Sequence, residues 1–243
     1  MGVMGLTQRR MVLAMRKVGV LALIAMVLVA GNLARVSRPP QVQSVRAAGP
    51  IGTGWQQYDL IVSPGDWDGR ADGAPDIIAR KASDGTLWLF SGDGLGGYTG
   101  PRQIGSGFNI YTRLVAAGEF TGHGRPDLMA VRRDGELILF PNLGHGVLGE
   151  PITLASGWGG YDAVVGTTNF SGFHRPALIV RNANDGSLSV FAGDGTGVFS
   201  GSSRITSVSV KNYSLLTAPG GWVNDGFPDS CSRRPDGSPC LFR

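Results

Sequence analysis

The chain has 243 residues, 39 of them glycine and 14 proline, and only 16% are charged. That length carries one sizeable core, and that composition excludes a long-helix protein in favour of short strands joined by tight turns. The formal charge of +4 is a property of the N-terminus: residues 1–47 hold seven Lys/Arg and no acid, leaving 15 Lys/Arg against 18 Asp/Glu. The mildly acidic remainder offers no electrostatic footprint for nucleic acid.

Arg9, Arg10, Arg16 and Lys17 precede an unbroken run of apolar residues and glycine from Val18 to Ala30, ended by Asn32, Arg35 and Arg38. A run this short suits the apolar region of a signal peptide better than a membrane span, which needs about 20 residues. Residues 1–47 are therefore expected to be a signal peptide, with an uncleaved N-terminal anchor as the alternative. Either way the rest of the chain is exported, secreted or held in the cell envelope, and it meets the membrane only through this leader.

From residue 48 onward the chain repeats itself four times. Asp-Gly recurs at Asp84-Gly85, Asp134-Gly135, Asp185-Gly186 and Asp236-Gly237, with Phe90, Phe140, Phe191 and Phe242 in phase. Tyr58, Tyr111, Tyr161 and Tyr213 mark the starts of the copies, which span about 51–101, 102–151, 152–203 and 204–243. A period near 50 residues signals stacked supersecondary units that bury their apolar faces on one another. Within the first copy, Asp59 to Gly65 reads as a strand, followed by an acidic loop. Ile77 to Lys81 and Thr86 to Phe90 make a hairpin across Asp84-Gly85, and Tyr98 to Ile104 supplies a fourth strand. Four short antiparallel strands per copy predict an all-β protein, a β-propeller of four four-stranded blades. The fourth copy stops one residue after its third strand, whereas Gly49-Pro50-Ile51 matches the fourth-strand segment Gly100-Pro101 to Ile104. That N-terminal strand is expected to complete the last blade and close the ring of a monomeric propeller, because closure removes an open sheet edge; the alternative is an incomplete array that assembles with another chain, since propellers of more blades are common.

The run Gly65-Asp66-Trp67-Asp68-Gly69, then Pro75-Asp76-Ile77-Ile78-Ala79-Arg80 and Gly85-Thr86-Leu87-Trp88-Leu89-Phe90, resembles the FG-GAP/VCBS repeats of secreted bacterial proteins. Gly54-Trp55-Gln56-Gln57-Tyr58 is similar to the blade openings of tachylectin-like propeller lectins. The first resemblance implies a calcium loop, for which copy one offers Asp66, Asp68, Asp72 and Asp76, interrupted by Gly69 and Arg70. Oxygen ligands at alternating positions suit that hard cation. The later copies degenerate: copy three has Asn169, Ser171, Phe173 and Ala177 at the matching positions.

Three aromatic pairs, Trp55/Tyr58, Phe108/Tyr111 and Trp158/Tyr161, recur beside glycine or small polar residues. They are candidates for stacking a sugar, since aromatic faces serve that purpose. They can equally be packing between blades. Cys231 and Cys240 flank the last Asp-Gly turn; a two-residue loop places them opposite each other, and a three-residue loop with a bulge offsets them by one. In an oxidising compartment they are expected to form a disulfide. No Gly-x-Ser-x-Gly elbow, His-Glu-x-x-His or phosphate loop occurs. The expectation is an exported, non-catalytic binding or adhesion propeller whose partner is a glycan or an extracellular protein. A structural envelope module tethered by its leader and a hydrolytic enzyme are the alternatives.

Overall fold

The computed structural model describes residues 52–70, 72–167, 175–206, 209–220 and 229–242, within one compact unit that spans 50–243. The leader 1–47 and the expected closing strand at 49–51 lie outside these residues.

The unit is an all-β, four-bladed propeller. Blade one is β1 (Tyr58–Gly65), β2 (Asp76–Lys81), β3 (Leu87–Gly92) and β4 (Tyr98–Gly105), hydrogen-bonded in that order. Blade two is β5 (Tyr111–Gly118), β6 (Asp127–Arg132), β7 (Leu137–Phe140) and β8 (Ile152–Ala155). Blade three is β9 (Tyr161–Thr167), β10 (Ala177–Asn182), β11 (Leu188–Gly193) and β12 (Phe199–Arg204). The fourth sheet has three strands among the described residues, β13 (Ser214–Gly220), β14 (Asp229–Arg233) and β15 (Pro239–Phe242). Every pairing is antiparallel, and β1, β5, β9 and β13 touch in chain order as the innermost strands.

Local sequence dictates the blade. Each Asp-Gly turn puts its glycine at left-handed φ, between 67° and 92°, where a side chain would be strained. Each turn aspartate accepts the backbone N–H two residues on, at Thr86, Glu136, Ser187 and Ser238. The second and third strands of the complete blades are short runs, mostly apolar and mostly buried, so blades must pack against blades. One cluster joins Ile78, Leu87 and Leu89 of blade one to Leu114, Leu128 and Ile138 of blade two. A second joins Val115, Met129, Leu137 and Leu139 of blade two to Trp158, Leu178 and Val180 of blade three. Each fully buried leucine or isoleucine among them contributes about 1.5–3 kcal/mol relative to exposure. Near the axis the strands approach so closely that a Cβ on Gly166 of β9 would overlap the Ala116 carbonyl of β5.

The last hairpin differs from the expected cross-link. Cys231 pairs with Leu241 and Ser232 with Cys240, the offset register of the longer, bulged loop. Successive residues of a strand point to opposite faces, so the two cysteines lie on opposite sides of the sheet. Both are free thiols, and the expected disulfide is not formed.

Candidate functional site

The acidic loop of blade one brings three of its four expected ligands together. Carboxylate oxygens of Asp66, Asp68 and Asp76 lie within 4.8 Å of one another. Asp72 is not in the group; it is exposed and its Oδ1 accepts the Ala74 N–H at 2.9 Å. Several oxygens of the other three are engaged, though Asp68 Oδ2 is buried without a hydrogen-bond partner. Asp76, 1% exposed, accepts the N–H groups of Trp67 and Asp68 on Oδ2, at 2.8 and 2.9 Å, and that of Gly92 on Oδ1 at 2.8 Å. Asp66 accepts from Gly69, and Asp68 accepts from the Arg70 N–H while Arg70 Nε sits 3.1 Å from its Oδ2.

The electrostatics follow from these partners. Burial pushes the Asp76 carboxyl above the usual carboxylate range against the pull of its three N–H donors, and the neighbouring Asp68 charge adds to the rise. Burial also acts to raise Asp68, but the Ser91 hydroxyl, the Arg70 N–H and the Arg70 and Arg102 charges prevail and hold it low.

Blade two explains what the loop is for. Asp127, fully buried, accepts the N–H groups of Phe120 and Thr121 and the Thr121 hydroxyl on Oδ2, and the Asn142 N–H on Oδ1. It does so with Glu119, Thr121 and His123 in place of the acids of blade one. Blade three has Ala177 there, and the Gly193 N–H turns to the Pro176 carbonyl at 2.8 Å instead. Asp76 and Asp127 are therefore clamps that tie each loop to the end of the third strand. They also seat a plug. Trp67 and Phe120, both 0% exposed, are inserted toward the following blade, where Asn142 Nδ2 donates to the Trp67 carbonyl and a Cβ on Gly193 would come 2.5 Å from the Phe120 ring. Calcium needs six to eight oxygens; here backbone N–H groups hold one or both oxygens of Asp66 and Asp76, while Asp68 Oδ2 is buried with no hydrogen-bond partner. Three carboxylates alone do not complete that set.

The aromatic pairs divide. Phe108 and Tyr111 are 4% and 8% exposed and pack with Phe140 into the core between blades one and two. They are structural and not accessible to a ligand. Trp55 and Tyr58 are half-buried in a ring cluster with Phe90 and Tyr98 on blade one. Tyr161 is half-buried beside Trp158 and Phe191 in the core between blades two and three.

Of the six, Trp158 lines a cleft among the described residues. A cleft of about 390 Å³ runs between the outer strands of blades two and three, walled by Leu154 and Ala155 on one side and Phe191, Phe199, Ser200 and Ser202 on the other. Phe199 stacks on Trp158 with ring centroids 5.7 Å apart and planes 18° from parallel. Trp158 is itself 2% exposed, so it backs the cleft while half-buried Phe199 offers ring surface and the exposed Ser200 and Ser202 offer hydroxyls. Sequence reasoning named Trp158 but missed Phe199, Ser200 and Ser202. The available signal was phase: Phe199 follows Tyr98 by two repeats.

No family model matches the sequence, and no curated protein does. Solved structures do match by fold. The lectin BP39L of Burkholderia pseudomallei is 17% identical, with a TM-score of 0.55 over 79% of this chain and 54% of that one. An Agrocybe aegerita lectin that recognises non-reducing terminal N-acetylglucosamine is 17% identical, with a TM-score of 0.48 over 66% of this chain and 43% of that one. A Photorhabdus luminescens Tc holotoxin pore is 18% identical, with a TM-score of 0.44 over 70% of this chain and 8% of that one. The chain thus spans about half the length, or less, of these structures. At such identities the likeness is one of fold, that of a β-propeller.

Proposed function

We propose that this exported propeller is a non-catalytic binding module whose ligand is a glycan, held in the cleft between blades two and three. The observation that carries the reading is the pairing of Phe199, stacked on Trp158, with the hydroxyls of Ser200 and Ser202 at one cleft. An apolar wall with a few fixed polar groups is the usual composition of a small-ligand site, and a pyranose presents the matching surfaces: an apolar face of C–H groups and a rim of hydroxyls. The volume of about 390 Å³ accommodates one or two sugar rings. The fold shared with BP39L supports the same reading.

A glycan array probed with the full chain tests this. The expected result is retention on a restricted set of glycans, reduced at least tenfold by Phe199→Ala. Absence of retention on every sugar, or retention unchanged by Phe199→Ala, counts against the site.

A further inference from the structure

The three blade junctions inside the chain are built alike. The N–H of Phe108, Trp158 and Val210 donates to the carbonyl of Gly85, Gly135 and Gly186, at 2.9, 2.8 and 2.9 Å. At the first and third junctions an arginine reaches across as well. Arg80, paired with Asp59, donates from Nη1 to the carbonyls of Phe108 and Tyr111 at 3.0 and 2.5 Å. Arg181, paired with Asp162, donates in the same way to Val210 and Tyr213. The backbone of the next blade lies against each turn: a Cβ on Gly85 would come 2.7 Å from the Asn109 nitrogen, one on Gly135 3.2 Å from that of Gly159, and one on Gly186 would overlap that of Lys211.

Blade four carries the same devices with nothing among the described residues against them. Gly237 has the same left-handed φ, yet among the described residues no atom lies within 4 Å of its would-be Cβ and its carbonyl accepts no hydrogen bond. Arg233 holds the place of Arg80 and Arg181 and bonds Ser214 Oγ at 3.0 Å, as they bond Asp59 and Asp162, but among the described residues it reaches no carbonyl of a further blade. Blade one carries the other half of a junction, equally uncovered. Trp55 is half-buried where its counterparts Phe108 and Trp158 are core. Ile61 is 50% exposed, while its counterpart Leu114 is 7% exposed and packed against blade one. Among the described residues no run of contacts like those of β1–β5, β5–β9 and β9–β13 joins β13 to β1.

We infer that blade four receives blade one of a second copy of this chain, so that two chains close one ring of eight blades. Each copy supplies one half of each missing junction, and each half matches a junction already made three times within the chain. Eight blades lie within the range of this architecture, and such a head-to-tail contact either closes or runs on as a filament. The inference replaces the expectation of a monomer and stands independently of what the cleft binds.

Sedimentation velocity of the full chain over a concentration series tests it, with Gly237→Asn and Arg233→Ala. Asparagine tolerates the left-handed region, so the first variant adds a side chain where the incoming backbone must lie, and the second removes the cross-blade donor. The expected result is a two-chain mass, with dissociation favoured at least tenfold by either variant and the circular dichroism spectrum unchanged. A single-chain mass at all concentrations overturns the inference, as does a two-chain mass that neither variant weakens. A single-chain mass with both variants melting lower would mean that the chain closes on its own first blade, which also overturns it.

Discussion

The buried carboxylate of Asp76 accepts the backbone N–H of Gly92 at 2.8 Å, tying the loop before β2 to the end of β3 across 16 residues. Asp127 does the same for Asn142 in blade two. An amide in place of either carboxylate keeps one acceptor and turns an N–H₂ toward backbone N–H donors. Leaving buried donors unsatisfied costs about 1–3 kcal/mol each. Asp76→Asn and Asp127→Asn should therefore each destabilise the fold by about 2 kcal/mol or more in urea unfolding, while Asp72→Asn, at an exposed turn, should change it by less than about 0.5 kcal/mol.

Addition of calcium should leave the unfolding midpoint where it stands in a chelator. A ligand of the native state stabilises by mass action, and Asp66, Asp68 and Asp76, partly held by N–H groups and Arg70, fall short of the six to eight oxygens that calcium takes. A rise of several degrees at millimolar calcium, measured by scanning calorimetry, would show that the ion displaces these partners.

Acid should weaken the fold through its turns. The Asp84 carboxyl is held low by the Thr86 hydroxyl and N–H, Asp134 by Arg132 and the Glu136 N–H, Asp185 by the Ser187 N–H and hydroxyl, and Asp236 by the Ser238 hydroxyl and N–H. A carboxyl with a depressed native pKa contributes stability above its unfolded pKa, about 4, and loses it as pH falls through the lower native value. Asp76 has the opposite sign: its raised pKa favours the folded state on acidification and costs stability as pH rises through the native value. The depressed turn carboxyls set the expected sign, so the melting temperature should be level from pH 6 to 8 and fall below about pH 4. A protein still at full stability at pH 3 would contradict this.

Close approach at the axis makes a third structural prediction. Gly166→Ala places a methyl group on the Ala116 carbonyl, and backbone cannot yield as a side chain can. The variant should lose at least about 3 kcal/mol, whereas Gly201→Ala on β12, with open space around it, should be nearly neutral.

Much of this was legible in the sequence because it is written four times. The Asp-Gly turns, the strand runs between them and the blade-opening tyrosines predicted each hairpin, and the three complete blades match. The clamp role of Asp76 was obscured by its neighbours: four acids in one loop read as metal ligands, and only the structure shows three backbone N–H groups converging on one of them. Internal comparison held a clue, since the position of Asp76 keeps its aspartate at Asp127 and Asp229 while the acids before it scatter. The division of the aromatic pairs was not legible. Whether Phe108 is core or Trp158 backs a cleft depends on what the preceding blade places opposite, and that is a relation between residues far apart in the chain. The cysteine register turned on one residue of loop length, and the longer loop placed the thiols on opposite faces.

Saturation-transfer NMR on a glycan retained by the full chain tests the central claim most directly. If the sugar stacks on Phe199 within the Trp158 cleft, transfer will concentrate on the C–H protons of one pyranose face and vanish in Phe199→Ala. Transfer spread evenly over the sugar, or undiminished in that variant, would contradict a glycan site between blades two and three.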